Sequence, residues 1–284
     1  DAAWVGGFEP GGSSSAYVLR TELGSAPAND ACANAVLLDC GASLAGTTWG
    51  ATDDRASTPA SCGGPGAGTS GAFELEHGGV WYRVVVPGVA GAGDRNVFVE
   101  LDSASFDSRL SVFEGPCGAL ACVTANDDID SSGRSLVGWR ATAGREYFVL
   151  VHTAAAQQGA FVISARCEPI PVGDECASAP NLSGFAGNAL VSTLGATGAT
   201  SDFALGGPGG LTPCLANGAD TSSYFDVWRN FTAPCDGVVT FEICGAFDTV
   251  LSLHSNCPSQ QNPFTLACND DGANGCAPGS LLSF

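Results

Sequence analysis

The chain has 284 residues, of which 45% are hydrophobic, and this is enough to form the cores of two domains of ordinary size. It contains 10 positively charged residues, all of them Arg, against 29 Asp and Glu, and the net charge of −19 excludes nucleic acid and anionic membranes as partners. Thirteen cysteines without a Cys-x-x-Cys pair, beside only three histidines, indicate disulfides rather than zinc sites and predict an extracellular or cell-surface protein.

Short apolar segments separated by Gly, Pro and polar residues predict an all-β fold. No segment reaches the ~18 apolar residues of a membrane helix, so we expect no membrane insertion. Val97, Val99 and Leu101 alternate with other side chains, which predicts a strand with one buried face, whereas the continuously apolar segment 147–151 predicts a central strand. Together with the segments at 80–86, 109–113 and 161–165, they predict a β-sandwich.

One sequence pattern occurs twice along the chain. Asn29-Asp30-Ala31-Cys32-Ala33 reappears as Gly173-Asp174-Glu175-Cys176-Ala177. The matches continue in the same order, with Val80-Trp81 and Val227-Trp228, Phe106-Asp107 and Phe247-Asp248, and Asn126-Asp127-Asp128 and Asn269-Asp270-Asp271. This repeat predicts tandem sandwiches, a complete one at 29–172 and an incomplete one at 173–284 that lacks counterparts of the last two strands.

The N-terminal segment matches the end of the complete repeat. Tyr17, Val18 and Leu19 stand where the complete repeat has the apolar segment 161–163. Residues 1–28 are therefore predicted to be the terminal hairpin of a preceding repeat, or a donor strand that completes the 173–284 domain of a neighbouring copy.

Five motifs of the first repeat carry a family resemblance: Asn29-Asp30-x-Cys32-x-x-Ala35, Val80-Trp81-Tyr82, Phe106-Asp107-Ser108-x-Leu110-Ser111-Val112, Asn126-Asp127-Asp128 and Gly144-x-x-Tyr147-x-x-x-Val151. They resemble bacterial pre-peptidase C-terminal domains and related repeats of secreted surface proteins. The resemblance covers nearly the whole chain. It implies tandem jelly-roll-like β-sandwiches that are not catalytic, that serve as accessory modules of secreted proteases or as parts of cell-surface proteins, and that in some members bind calcium.

The cysteines can be paired by asking which of them are absent together. The repeat type at the two ends of the chain lacks both Cys40 and Cys167, which predicts that these two are joined, and Cys244 and Cys276 occur only in the second copy. Cys235 is left unpaired. Because six cysteines allow 15 connectivities, other pairings remain open. The remaining predicted pairs are Cys32 with Cys62, Cys117 with Cys122, Cys176 with Cys214, and Cys257 with Cys268.

A possible calcium loop follows the segment 121–126. Asn126, Asp128 and Asp130 place side-chain oxygens at every second position, as in loops that wrap Ca²⁺, with Asp107 or Asp53 as further candidate ligands from other loops. No Glu closes the loop at its twelfth position. The alternative is a turn whose side chains bond to nearby backbone groups.

Catalytic motifs are not found. The sequence contains no Gly-x-Ser-x-Gly elbow and no His-Glu-x-x-His pair, and His152, just after an apolar strand, is expected at a loop or sheet edge. We therefore expect no enzyme. Asn181-Leu182-Ser183 and Asn230-Phe231-Thr232 are acceptor sequons for N-glycosylation in an organism with that pathway.

Two functions fit these observations. The first is a structural subunit of an extracellular filament or surface layer, in which copies of the chain, or neighbouring repeats of one chain, join head-to-tail as residues 1–28 complete a 173–284 domain. The alternative is a non-catalytic binding or adhesion module of a secreted enzyme or cell-surface protein, which could bind a carbohydrate through Trp4, Trp49 or Trp139.

Overall fold

A computed structural model describes residues 25–53, 58–59, 61–63, 73–74, 78–88, 93–126, 134–153, 157–182, 190–197, 226–245, 247, 249–257, 265–269 and 279–284. Within these ranges the regular structure is β-strand apart from the 3-10 turns Cys32–Asn34 and Cys176–Ser178, so the fold is all-β, as predicted. No helix in the described part of the chain is long and apolar enough to cross a membrane. In chain order the strands are β1 (Val36–Leu37), β2 (Ser43–Thr47), β3 (Ser61–Cys62), β4 (Phe73–Glu74), β5 (Val80–Val85), β6 (Arg95–Ala104), β7 (Ser108–Glu114), β8 (Ala121–Asn126), β9 (Leu136–Ala141), β10 (Glu146–Thr153), β11 (Ala160–Pro169), β12 (Thr240–Ile243), β13 (Leu251–His254), β14 (Thr265–Asn269) and β15 (Ser280–Ser283).

Two sheets form the first sandwich. One has the strand order β1-β5-β10-β7-β8, and the other has the order β2-β11-β6-β9. Strand β10 lies at the centre of the five-stranded sheet and pairs antiparallel with both β5 and β7. The segment 147–151 is therefore central, as its uninterrupted apolar run predicts.

The main core lies between the two sheets. Val97, Val99 and Leu101 of β6 are fully buried and face Tyr82 and Val149 of the opposite sheet within one apolar cluster. This is the alternation predicted from the sequence, and it fixes which face of β6 points inward.

A second cluster covers the outer face of the five-stranded sheet. Trp81, Phe113, Phe148 and Leu150 pack there with two disulfide-bonded cysteines, and the rings of Trp81 and Phe113 are 5.7 Å apart. Because β10 is buried on both faces, its sequence has no polar alternation.

The described residues beyond 225 form smaller sheets. Strands β12 and β15 make one antiparallel pair, and β13 and β14 make another. Segment 226–230 joins residues 180–182 through an isolated parallel bridge between Asn181 and Asn230. No residue of β12 or β13 is buried, whereas five of the ten residues of β6 and five of the seven residues of β7 are buried.

Candidate functional site

The disulfides of the first sandwich differ in part from the predicted pairs. Cys40 is joined to Cys167, as predicted, and this bond ties the start of β2 to the end of β11. The predicted Cys117–Cys122 pair is wrong, because Cys122 lies on β8 opposite Phe113 while Cys117 lies in the loop between β7 and β8 and is joined to Cys32. The predicted Cys32–Cys62 pair is also wrong. The bonds formed are Cys32–Cys117 and Cys62–Cys122, which clamp two flanking segments onto the outer face of the sheet.

The second copy repeats one of these bonds. Cys176 is joined to Cys257, which is the counterpart of Cys32–Cys117, so the predicted pairs of Cys176 with Cys214 and of Cys257 with Cys268 are wrong. Cys244 and Cys268 are both disulfide-bonded. Residues 214 and 276 lie outside the described residues, so the prediction for Cys244 and Cys276 stands as a prediction. Cys235 is exposed and free, as expected.

The same hydrogen bonds recur at matching positions of the two copies. Asp30 accepts hydrogen bonds from the backbone N–H and the hydroxyl of Thr52, and Asp174 does the same for Thr197. The amide nitrogen of Asn126 donates to the Leu136 carbonyl, and that of Asn269 donates to the Leu281 carbonyl. The backbone N–H groups of Trp81 and Trp228 donate to the Asn29 and Gly173 carbonyls, respectively.

The second copy has both elements that would flank a strand equivalent to β10, but no described residue lies between them. In the first sandwich β10 lies between β5 and β7. The corresponding elements are segment 226–230 and β13, and among the described residues β13 has β14 as its sole strand partner. The ring centroids of Trp228 and His254 are 5.3 Å apart, which repeats the Trp81–Phe113 contact across the same position.

A second strand position is open in the same way. In the first sandwich β6 lies between β11 and β9, but β12 pairs with β15 alone within the described ranges. Phe106 of the first sandwich is 7% exposed and packs edge-on against Phe161 of β11. Its counterpart Phe247 is 57% exposed. The two positions without a described strand are those of β10 and β11.

A polar joint connects the first sandwich to the start of the second copy. The Asn96 amide nitrogen donates to the Asp174 carboxylate at 2.9 Å and to the Gly195 carbonyl at 2.8 Å, and Asn96 is fully buried. Burial raises the pKa of Glu175, the neighbouring Asp174 and Asp226 raise it further, and Arg140 of β9 opposes them. The sequence alone does not predict this joint, because the sequence pattern of a strand does not distinguish one buried Asn from an ordinary exposed residue.

The candidate calcium ligands are only partly described. Asn126 is buried, and its amide nitrogen donates to the Leu136 carbonyl. The backbone of Asp107 binds Gln157 and Thr153. Asp128 and Asp130 lie outside the described residues, and no group of three or more His, Cys, Asp or Glu side chains suited to a metal occurs among those described. Asp53 joins no such group.

The other singled-out residues fall in different environments. His152 is fully buried on β10, and its Nε2 lies 2.9 Å from the Ser111 hydroxyl, so the expectation of a loop or edge position is wrong. Strand β10 continues past the apolar run to Thr153, which carries His152 into the sheet. Both sequon asparagines, Asn181 and Asn230, are exposed. Tyr17, Val18 and Leu19 lie outside the described residues.

These observations define an all-β, disulfide-bonded sandwich protein. No protein-family model and no curated protein matches the chain. It is similar to the pre-peptidase C-terminal domain of collagenase from Bacillus anthracis, with 12% identity over 46% of this chain and 94% of that one and a TM-score of 0.25. It is also similar to PliG from Aeromonas hydrophila, a periplasmic inhibitor of g-type lysozyme, with 13% identity over 47% and 98% of the chains and a TM-score of 0.26.

Proposed function

We propose that the chain is a non-catalytic structural subunit of an extracellular filament or surface layer. In this proposal residues 1–28 of one copy add strands to the 173–284 domain of the next copy. The observation that carries it is the exposure of Phe247, whose counterpart Phe106 is buried by β11.

The donor segment has the side chains that this position needs. Phe161 of β11 covers Phe106, and the matching residue of the N-terminal segment is Tyr17. A Tyr17 ring on Phe247 would bury an apolar surface that is now exposed to water, and aromatic pairs of this kind contribute about 0.5–1.5 kcal/mol beyond their buried area. Leu19 would take the place of Ile163, which is fully buried in the first core.

The backbone also favours a donor. Among the described residues β12 and β13 each have one strand neighbour, whereas their counterparts β6 and β7 each have two, so one edge of each strand has no described strand beside it. Such edges bind extended segments from other chains, and a contact between the head of one copy and the tail of another repeats without closing. Copies joined in this way form a fibre.

The compartment follows from the covalent bonds. Four disulfides are described in full and two further cysteines are disulfide-bonded. Disulfides in this number persist in oxidising surroundings outside the cytosol. This supports the extracellular placement of the filament.

Val18→Pro tests the strand donor, because Pro removes a backbone donor and does not fit within a paired strand. The 284-residue chain should form concentration-dependent oligomers in sedimentation velocity, and V18P should sediment as a monomer. Ala3→Pro, in the same segment but outside the proposed strand, is the matched control. A synthetic peptide of residues 12–26 should bind V18P, and oligomers that V18P leaves intact would refute the proposal.

A binding or adhesion module is the second candidate. Trp49 is 63% exposed next to β2, and large exposed aromatic side chains serve as stacking surfaces for ligands such as sugars. Trp139 is 4% exposed within the core and cannot serve in this way, and Trp4 lies outside the described residues. Loss of polysaccharide retention in Trp49→Ala, with oligomers unchanged, would favour this candidate.

A further inference from the structure

The joint between the two copies has two halves. The half that contains the buried carboxylate belongs to the second copy. Its carboxylate is Asp174, which is 1% exposed and binds both Thr197 and the Asn96 amide of the first sandwich. Gly195 has a positive φ of 76° and lies against Pro169 in the linker. The buried members of this half are Gly173, Asp174, Gly195, Ala196 and Thr197.

The first copy carries the same half-joint uncovered. Asp30 and Thr52 make the same two hydrogen bonds, and Gly50 has the same φ of 76° and lies against Ser25 of its own linker. However, Gly50 and Thr52 are exposed, and Asp30 is only partly buried. We call Asn29, Asp30, Gly50, Ala51 and Thr52 the Asp30 face.

The other half of the joint, which receives this carboxylate, belongs to the first sandwich. Asn96 is fully buried and Phe98, on the same side of β6, is 2% exposed. Gly138 of β9 pairs with Phe98, and a Cβ atom at this glycine would lie 3.8 Å from the Thr197 methyl group. Asn96 and Gly138 therefore form the surface on which the second copy rests, and the guanidinium of Arg166 lies over the neighbouring Phe98 ring at 4.3 Å.

Strand register identifies the counterparts of this surface in the second copy. Asn126 and Asn269 bind the carbonyls of Leu136 and Leu281, which makes β15 the counterpart of β9. Because Thr240 pairs with Ser283 as Phe98 pairs with Gly138, Val238 stands where Asn96 does. Val238 is 83% exposed, and Thr240 and Ser283 are exposed as well. We call these three residues the Val238 face.

The chain therefore presents both halves of its own internal joint, each uncovered. We propose that the Asp30 face of one copy docks on the Val238 face of a second copy, in the arrangement that Asp174 and Asn96 adopt within one chain. This proposal rests on the proposed filament, since a donor segment 1–28 brings residues 29–52 of its copy to this end of the neighbour's domain. It adds a second contact, separate from the strand positions.

The joint within a chain and the proposed joint between copies differ at all three positions of the receiving face, where Val238, Thr240 and Ser283 stand in place of Asn96, Phe98 and Gly138. Asn96 gives two hydrogen bonds to the facing copy, whereas Val238 has no donor for the Asp30 carboxylate or the Gly50 carbonyl. Thr240 and Ser283 offer hydroxyl groups, which already bind each other at 3.0 Å. The docking contact between copies therefore lacks the two hydrogen bonds that Asn96 makes within a chain.

Val238→Asn tests the docking, because it installs the missing amide on an exposed residue that the fold does not need. V238N should tighten association of the 284-residue chain about tenfold in sedimentation velocity, as expected for one hydrogen bond to a charged group. Val238→Leu, which has no amide, should leave association within about twofold of the original chain. The gain of V238N should disappear in a D30A background.

The outcomes separate the two proposals. If V18P dissociates the copies but V238N and V238L associate equally, strand donation stands and the docking is wrong. If V238N tightens association through Asp30 while V18P changes nothing, the docking stands and strand donation is wrong. Copies that do not associate in any variant would overturn both.

Discussion

The side-chain amide of Asn96, at the start of β6, donates to the carboxylate of Asp174, although 78 residues separate them in the chain. Asn96→Leu removes this bond and leaves a buried carboxylate with one donor fewer. We expect a loss of about 2–3 kcal/mol in the free energy of unfolding, measured by urea denaturation. Val238→Leu, at the matching but exposed position, should change it by less than about 0.5 kcal/mol. Equal effects of the two variants would contradict the assigned role of Asn96.

The raised pKa of Glu175 predicts a pH dependence of the same joint. The folded chain keeps the proton of this carboxyl at a higher pH than the unfolded chain does, so stability falls as pH rises from the ordinary Glu value through the raised value. Glu175→Gln should raise Tm at pH 7 and flatten the fall of Tm across this window in calorimetry. Glu242→Gln, which removes an exposed carboxylate outside the joint, is the control. A Tm profile of E175Q parallel to that of the original chain would show that the shift has no energetic consequence.

The disulfides of the second copy can be completed by peptide mapping without reduction. Cys268 lies on β14, the counterpart of β8, and is disulfide-bonded, as is Cys244. We expect Cys268 linked to Cys214, in the manner of Cys122 with Cys62, and Cys244 linked to Cys276. Cys235→Ser should leave the map and the Tm unchanged, because this cysteine is free and exposed. A peptide joining Cys235 to any other cysteine would contradict this scheme.

The proposed Tyr17–Phe247 contact can be measured by a double-mutant cycle on association. Y17A and F247A should each weaken association, and the double variant should weaken it by about 0.5–1.5 kcal/mol less than the two combined, because the ring pair is lost once. The control is the same cycle with Trp49→Ala in place of F247A, in which the effects of the two substitutions on association should be additive. Additivity between Y17A and F247A would place Tyr17 elsewhere.

Calcium binding by the loop after β8 stays a prediction. Ca²⁺ in excess should raise Tm, since a ligand at 100 times its Kd stabilises a protein by about 2.7 kcal/mol. Mg²⁺ at the same concentration should not, and D128N with D130N should remove the effect. A Tm insensitive to Ca²⁺ would contradict the calcium prediction and leave Asn126 with its bond to Leu136 alone.

The strands were predictable from the sequence because a strand with one buried face has an apolar residue at every second position. In β6 the apolar residues Val97, Val99 and Leu101 alternate with other side chains, because one face of the strand lies in the core. The run at 147–151 is apolar throughout, because β10 is buried on both of its faces. The Cys40–Cys167 bond was predictable because both cysteines are absent together from the matching repeat type.

Other disulfides were not predictable, because residues that are close in sequence need not be close in a sheet. Cys117 and Cys122 are close along the chain, but the hairpin of β7 and β8 directs them to different segments. Asn96 was missed for a similar reason. Its partners Asp174 and Gly195 come from the next copy, and no periodic pattern records a single contact between domains.

The Cys40–Cys167 bond has a mechanical consequence. It encloses every strand from β2 to the end of the β11 core segment, so a tension applied along the chain at Ser25 and Val172 passes through this covalent link and bypasses the hydrogen-bonded sheets. The 127 residues of sequence separation correspond to roughly 430 Å of contour length, and the three disulfides of the first sandwich together withhold it from extension. The first sandwich is thus an inextensible segment while oxidised, and it becomes fully extensible only when all three bonds are reduced.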